Sequence, residues 1–317
     1  MSSRPLPTEP EILAFIARCQ AIAPDEAWEG LAGHQRRVYD ELCAALRHPG
    51  PTGITADDID IPCDGRTITV RRYLPAGAER PLPAVLYFHG GGFVVGGLDS
   101  HDDICAELAD TTGAAVVAVD YRLCPEHPYP AAIEDGLSVL SALRRDASAH
   151  CIDAARIVLA GDSAGGMISA AMALRLRDGD GPQVHALALI YPGLGGDDTK
   201  GSFVEQAEAP FCTTASIRLY RAMYEGGTPR DGDPYCNPLS AASLAGLPPT
   251  FVSGAHFDPL RDDASEFARR LEAEGVAVAL RIEPQMIHGW LRARHSSPGA
   301  HTAWTALCAA ISRFVAG

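Results

Sequence analysis

The chain has 317 residues, 47% of them hydrophobic and 21% charged, which excludes a disordered polymer and supplies apolar side chain for one large or two smaller compact units. Its 26 basic and 40 acidic residues leave a formal net charge of −14, so neither nucleic acid nor an anionic membrane surface is an expected partner. No run reaches the roughly 18 apolar residues of a membrane span, and MSSRPLPTEPEI lacks a basic segment followed by an apolar one, so a soluble, unexported, cytoplasmic protein is expected.

The first 50 residues read as helical: Ile12, Phe15, Ile16 and Cys19 fall at i, i+3, i+4 and i+7, and Val38, Leu42 and Leu46 step by four. The breakers from Pro49 to Gly53 end that region, and Ile68 and Val70 then alternate with polar residues as on a strand with one wet face. Beyond it come the apolar runs 84–88, 114–120, 156–160, 186–191, 250–254 and 276–282, each suited to a strand covered on both faces. The segments between them, such as 131–145 and 262–275, are rich in helix formers. This alternation predicts an α/β protein with a mostly parallel sheet between helices. The stretch 193–237 breaks the rhythm: Ile217, Tyr220 and Tyr224 keep helical spacing with no strand-like run, the mark of a lid or cap insertion. The nine cysteines, scattered from Cys19 to Cys308 without a CxxC pair, suggest buried reduced thiols in place of a disulfide framework or zinc site.

The run 156–160 leads into GDSAGG (161–166) and then into a helix-forming stretch. A GxSxG turn between strand and helix holds its serine in a strained conformation with the hydroxyl presented at the sheet edge. Ser163 is the candidate nucleophile, flanked by Gly161, Asp162 and Gly165; the plain alternative is a serine that caps the next helix. After the run 84–88 comes HGGGF, His89 to Phe93. The amides of Gly90 and Gly91, with that of Ala164, are candidates for an oxyanion hole, while Gly92 supports the motif and His89 braces the loop. The alternative there is a glycine hinge.

A serine hydroxyl needs a base, and the base an orienting acid. His288, in a loop six residues past the run 276–282, is the chosen base over His295 and His301, which sit nearer the last helix. Asp258 comes first after the run 250–254 with Pro259 behind it; Asp262 and Asp263 read as solvated charges at a helix start. The order Ser163, Asp258, His288 is that of α/β-hydrolase sheets.

With these motifs in place, the chain resembles the hormone-sensitive-lipase branch of the α/β-hydrolases, bacterial carboxylesterases with HGGG and GDSAG signatures. The likeness runs over roughly residues 60 to 317, through HGGGFVVGGLDSHD, VAVDYRLCPEHPYPAAIED, GDSAGG, Tyr191-Pro192, DPLRDD and HGW. It implies an eight-stranded sheet and a helical cap built from 1–50 and 193–237, with the α/β core divided between 51–192 and 238–317. It also implies hydrolysis of a small-molecule ester of short to medium acyl chain through an acyl-enzyme, with no cofactor or metal, and a possible homodimer. An amidase, a lactonase, an acyltransferase or a non-catalytic receptor on the same scaffold is the alternative. Three positions depart from the family's usual residues: Cys124 for Ala, Met167 for Asn and Trp290 for Phe, the last two expected to reshape the pocket. Phe15, Phe203, Phe211, Tyr220 and Met223 are the expected apolar lining of that pocket.

Overall fold

In the computed structural model, which describes residues 6–63 and 65–316, the chain opens with helices α1 (Pro10–Ile22) and α2 (Ala32–Leu46) and the strand hairpin β1 (Ile54–Cys63) and β2 (Arg66–Pro75). The alternating part follows: β3 (Leu82–Phe88), α3 (Asp102–Thr112), β4 (Ala115–Val119), α4 (Ala131–Arg145), β5 (Ile152–Asp162), α5 (Ala164–Arg175) and β6 (Ala186–Ile190). Then come two helices without a strand, α6 (Ser202–Glu205) and α7 (Thr214–Tyr224), before β7 (Thr250–Phe257), α8 (Arg261–Ala273), β8 (Val278–Ile287) and α9 (Pro298–Ala316) close the chain.

The strands form one 8-stranded sheet in the order β1-β2-β4-β3-β5-β6-β7-β8. Pairing is antiparallel between β1 and β2 and between β2 and β4, and parallel from β4 across to β8. The pleat sends alternate residues to opposite faces. Val85 and Tyr87 of β3 pack with Ile104 of α3 and with Trp304 and Leu307 of α9. Leu86 and Phe88 pack on the other side with Val139 of α4, Ile168 of α5 and Phe267 of α8. Both faces are covered, which is why the central strands are continuous apolar runs.

Four strand ends fix the chemistry-bearing residues. His89 follows β3, Ser163 separates β5 from α5, Asp258 follows β7 and His288 follows β8. All lie at the carboxyl ends of parallel strands, where open α/β sheets bind ligands. Helix α5 approaches the sheet so closely that a Cβ on Gly165 would sit 1.8 Å from the Phe88 carbonyl oxygen, and one on Gly161 2.5 Å from the same atom. These glycines seat the turn that carries Ser163.

Gly165→Ala is therefore expected to cost about 3 kcal/mol by forcing α5 off β3. Gly33→Ala, at a position in α2 where the added carbon would meet nothing within 4 Å beyond its own helix, is expected to gain up to about 1 kcal/mol. Urea unfolding of the two variants beside the parent checks both signs.

Candidate active site

Ser163 has φ 54° and ψ −117°, a backbone state costly for a residue with a Cβ and kept only where its surroundings enforce it. Its amide donates to the Ile190 carbonyl at 2.8 Å, tying the turn to the end of β6. Its side chain makes no cap to α5, so the helix-cap alternative fails. Instead Ser163 Oγ lies 2.9 Å from His288 Nε2, and His288 Nδ1 lies 2.7 Å from Asp258 Oδ2. With the ring proton on Nδ1, His288 donates to Asp258 and accepts from Ser163, the arrangement a general base needs.

Asp258 is fully buried, and its Oδ1 accepts the Leu260 amide at 2.9 Å, which holds the carboxylate in one orientation. Burial disfavours the His288 cation, yet the charge and hydrogen bond of Asp258 outweigh it, so the imidazole pKa is raised above its ordinary value. The rivals lie elsewhere: His295 is stacked on His48 with ring centroids 3.7 Å apart, and His301 is exposed on α9.

The HGGG loop is held by Asp162, whose Oδ1 accepts from the Tyr87 hydroxyl at 2.8 Å and from the Gly90 amide at 3.0 Å. This corrects the expectation for Gly90, whose amide is already committed to a carboxylate. Gly91, Gly92 and Ala164 line the cavity in front of Ser163 and Gly90 does not, so the candidate oxyanion donors are the amides of Gly91, Gly92 and Ala164. Gly91 and Gly92 have φ of 121° and 59°. A Cβ on Gly91 would lie 2.1 Å from the Val95 carbonyl oxygen and one on Gly92 2.3 Å from the Tyr220 ring, so the loop admits no side chain at either place. His89 braces the loop, as expected: it stacks on Tyr121 with centroids 4.3 Å apart, its Nδ1 lies 2.7 Å from the Gly90 oxygen, and burial pushes its pKa down to about 3.

The cavity holds about 500 Å³ and is lined by residues of α1 and α2, of the HGGG loop, and of the 193–237 stretch. Phe15, Phe203, Phe211 and Tyr220 line it, whereas Met223, half-buried on α7, packs against the main core instead. Phe15 and Phe211 meet edge to face at 6.1 Å, and the Tyr220 hydroxyl donates to Gln35 Oε1 at 3.3 Å; both contacts join the N-terminal helices to the insertion. Met167 faces the cavity as expected. Trp290 does not: it is fully buried behind the site, edge to face with Tyr191 at 5.9 Å.

Two acidic residues assigned to a wet helix start part company. Asp262 is half-exposed and accepts from the Ser202 amide at 2.8 Å. Asp263 is buried, accepts from the Leu194 amide at 2.7 Å and the Gly196 amide at 3.3 Å, and thereby shapes the loop that lines the cavity after β6. Burial, with the nearby Asp258 charge, pushes its pKa up to about 7 against those amides. Two further groups carried no signal in the spacing. Cys212 brings its sulfur within 4.8 Å of the facing atoms of Asp258 and His288. Arg292, four residues past His288, lines the cavity beside Tyr39.

No helix among the described residues is long and apolar enough to cross a membrane. A family model described as alpha/beta hydrolase fold matches residues 85–292. Carboxylesterase NlhH of Mycobacterium tuberculosis is 42% identical over 254 residues, covering 79% of this chain and 80% of that protein. Ethyl acetate hydrolase of Pseudomonas putida is 32% identical over 296 residues, 89% of this chain and 92% of that one. Among solved structures, a bacterial heroin esterase superposes with a TM-score of 0.88 at 31% identity, covering 97% of this chain and 98% of that chain. The eight-stranded sheet, the site at its carboxyl edge and these likenesses agree that the chain belongs to the α/β-hydrolase family, in its hormone-sensitive-lipase branch of carboxylesterases.

Proposed function

We propose that the protein is a serine carboxylesterase in which Ser163, His288 and Asp258 form the catalytic triad. The observation that carries this reading is the continuous chain from Ser163 Oγ to His288 Nε2 at 2.9 Å and from His288 Nδ1 to Asp258 at 2.7 Å, at the floor of a largely apolar cavity. Ser163 Oγ attacks the ester carbonyl while His288 takes its proton at Nε2, and Asp258 stabilises the imidazolium that forms. The amides of Gly91, Gly92 and Ala164 receive the charge that develops on the carbonyl oxygen, each such donor being worth about 3 kcal/mol in the transition state. His288 returns its proton to the departing alcohol. Water, activated by the same histidine, then attacks the acyl-serine and releases the acid.

The helices of 1–50 and the insertion 193–237 act as one cap over this chemistry. Support comes from the two contacts that join them, Phe15 with Phe211 and Tyr220 with Gln35. The free thiols, buried but for the half-buried Cys151, suit a reducing compartment and support a cytoplasmic setting. A complete triad favours catalysis over a receptor role on the same scaffold.

Ser163→Ala is expected to remove nearly all turnover of 4-nitrophenyl butyrate, leaving at most ~10³ to 10⁴ over the uncatalysed rate; retained activity on titrated, folded protein would assign the nucleophile elsewhere. Only the neutral imidazole accepts the serine proton, and Asp258 favours the charged form, so kcat/KM should fall as pH drops through an apparent pKa above about 6.5. A limb below that value in a pH profile would contradict the pairing. In a chain-length series the palmitate ester should be turned over at less than about a tenth of the butyrate rate, whereas equal rates would contradict a closed apolar pocket.

A further inference from the structure

The cavity lining holds two arginines, and they differ in how their charge is met. Arg221 is paired at 2.9 Å with Glu225 and also reaches Asp231. Arg292 has no such partner. Its Nη1 donates to the Ser100 carbonyl at 2.9 Å, its Nη2 to the Tyr39 hydroxyl at 3.1 Å, and its guanidinium lies 5.4 Å from the centre of the Tyr39 ring. A third contact, 3.4 Å to His101 Nε2, is the longest. These partners are all neutral. Asp162, whose Oδ1 stands 3.3 Å from the same Nε2, attracts the guanidinium across His101 without touching it, and it also accepts from Tyr87 and Gly90. Among the described residues no carboxylate reaches Arg292 itself.

A guanidinium has five N–H donors in a rigid fork matched to a carboxylate. Even with all three contacts counted, two of Arg292's donors lack a protein acceptor. Arg292 is half-buried and is one of the residues that line the cavity, and a direct anionic partner lowers the cost of such a charge. Its place is also fixed relative to the chemistry. Gly289, at φ 77°, turns the chain after His288, and the short helical turn Trp290–Ala293 carries Arg292 back toward the pocket. Four residues of chain put the two backbones within about 14 Å of each other, and Arg292 lines the same cavity as Ser163 and His288.

We propose that the Arg292 guanidinium is a subsite for a carboxylate on the substrate, so that the site prefers acidic esters, either hemiesters of short dicarboxylic acids or acyl esters of hydroxy acids. The inference rests on the esterase reading above and narrows its substrate class. The substrate carboxylate is unchanged in the reaction; it pairs with the guanidinium while Ser163 acts on the ester. Held by charge and by a spare N–H of the guanidinium, it adds binding that a neutral ester of the same length lacks.

Two matched pairs test this. One carries the acid on the acyl side, 4-nitrophenyl hydrogen glutarate against 4-nitrophenyl pentanoate. The other carries it on the alcohol side, the butyrate ester of 3-hydroxybenzoate against that of 3-hydroxybenzamide. In at least one pair kcat/KM for the acid should exceed that for its neutral partner by about tenfold or more, chiefly through KM and less so as sodium chloride is raised. Arg292→Gln should bring that ratio close to one, and Arg292→Lys should keep part of it. Should Arg292→Gln fail to fold, the ratio in the unsubstituted protein decides alone. Turnover of the neutral esters with no acid preference in either pair, or a loss in Arg292→Gln that is equal for acid and neutral ester, overturns the subsite and leaves the esterase reading standing. Absence of turnover on all four esters overturns both.

Discussion

Asp162 stands next to Ser163 and has almost no access to water. A carboxylate in that position must either be met by donors or give up its charge. Burial presses toward the neutral acid, but His101 and the Tyr87 hydroxyl outweigh it and hold the carboxyl below its usual range. Its donors come from separate parts of the fold. Tyr87 belongs to β3, Gly90 to the loop after β3, Tyr191 to the end of β6, and His101 to the turn before α3. One anion thus sets where the glycine loop lies relative to the serine turn. The strained backbone of Ser163 is tolerable because these bonds, and the amide bond to Ile190, leave that turn nowhere else to go.

Much of this was legible in the residues. The apolar runs located β3 to β8 to within a few positions, and the helix expected over 131–145 is α4. Strand β1 was harder to see, since Ile59 and Ile61 alternate with Asp58 and Asp60 on an edge strand whose outer residues are wet. Helix α3 follows the glycine loop with two aspartates in its first turn, and its start overlaps the end of the HGGGFVVGGLDSHD motif. Serine, acid and histidine were legible because each sits one residue past a strand, a placement that spacing reveals.

What spacing did not reveal is how individual donors are spent. Three consecutive glycines look equivalent in a string of letters, yet Gly90 gives its amide to Asp162 while Gly91 and Gly92 face the cavity. Asp262 and Asp263 share a helix start, but the helix turns Asp263 inward against the loop after β6 and leaves Asp262 nearer the surface. Trp290 adjoins the loop of His288 and still packs away from the cavity, because Gly289 reverses the chain between them. Each of these depends on where one side chain or amide points, which is settled by tertiary packing and not by residue type.

The proposed triad sits at the ends of buried strands, whereas most of the cavity wall comes from α1, α2 and the stretch after β6. Phe203, Phe211 and Tyr220 belong to that wall and contribute no side chain to the sheet. The molecule therefore keeps its reactive groups and most of its apolar pocket wall in different parts of the fold. New molecules can be admitted by rebuilding the roof while the foundation, with its tightly fitted glycines, is left as it is.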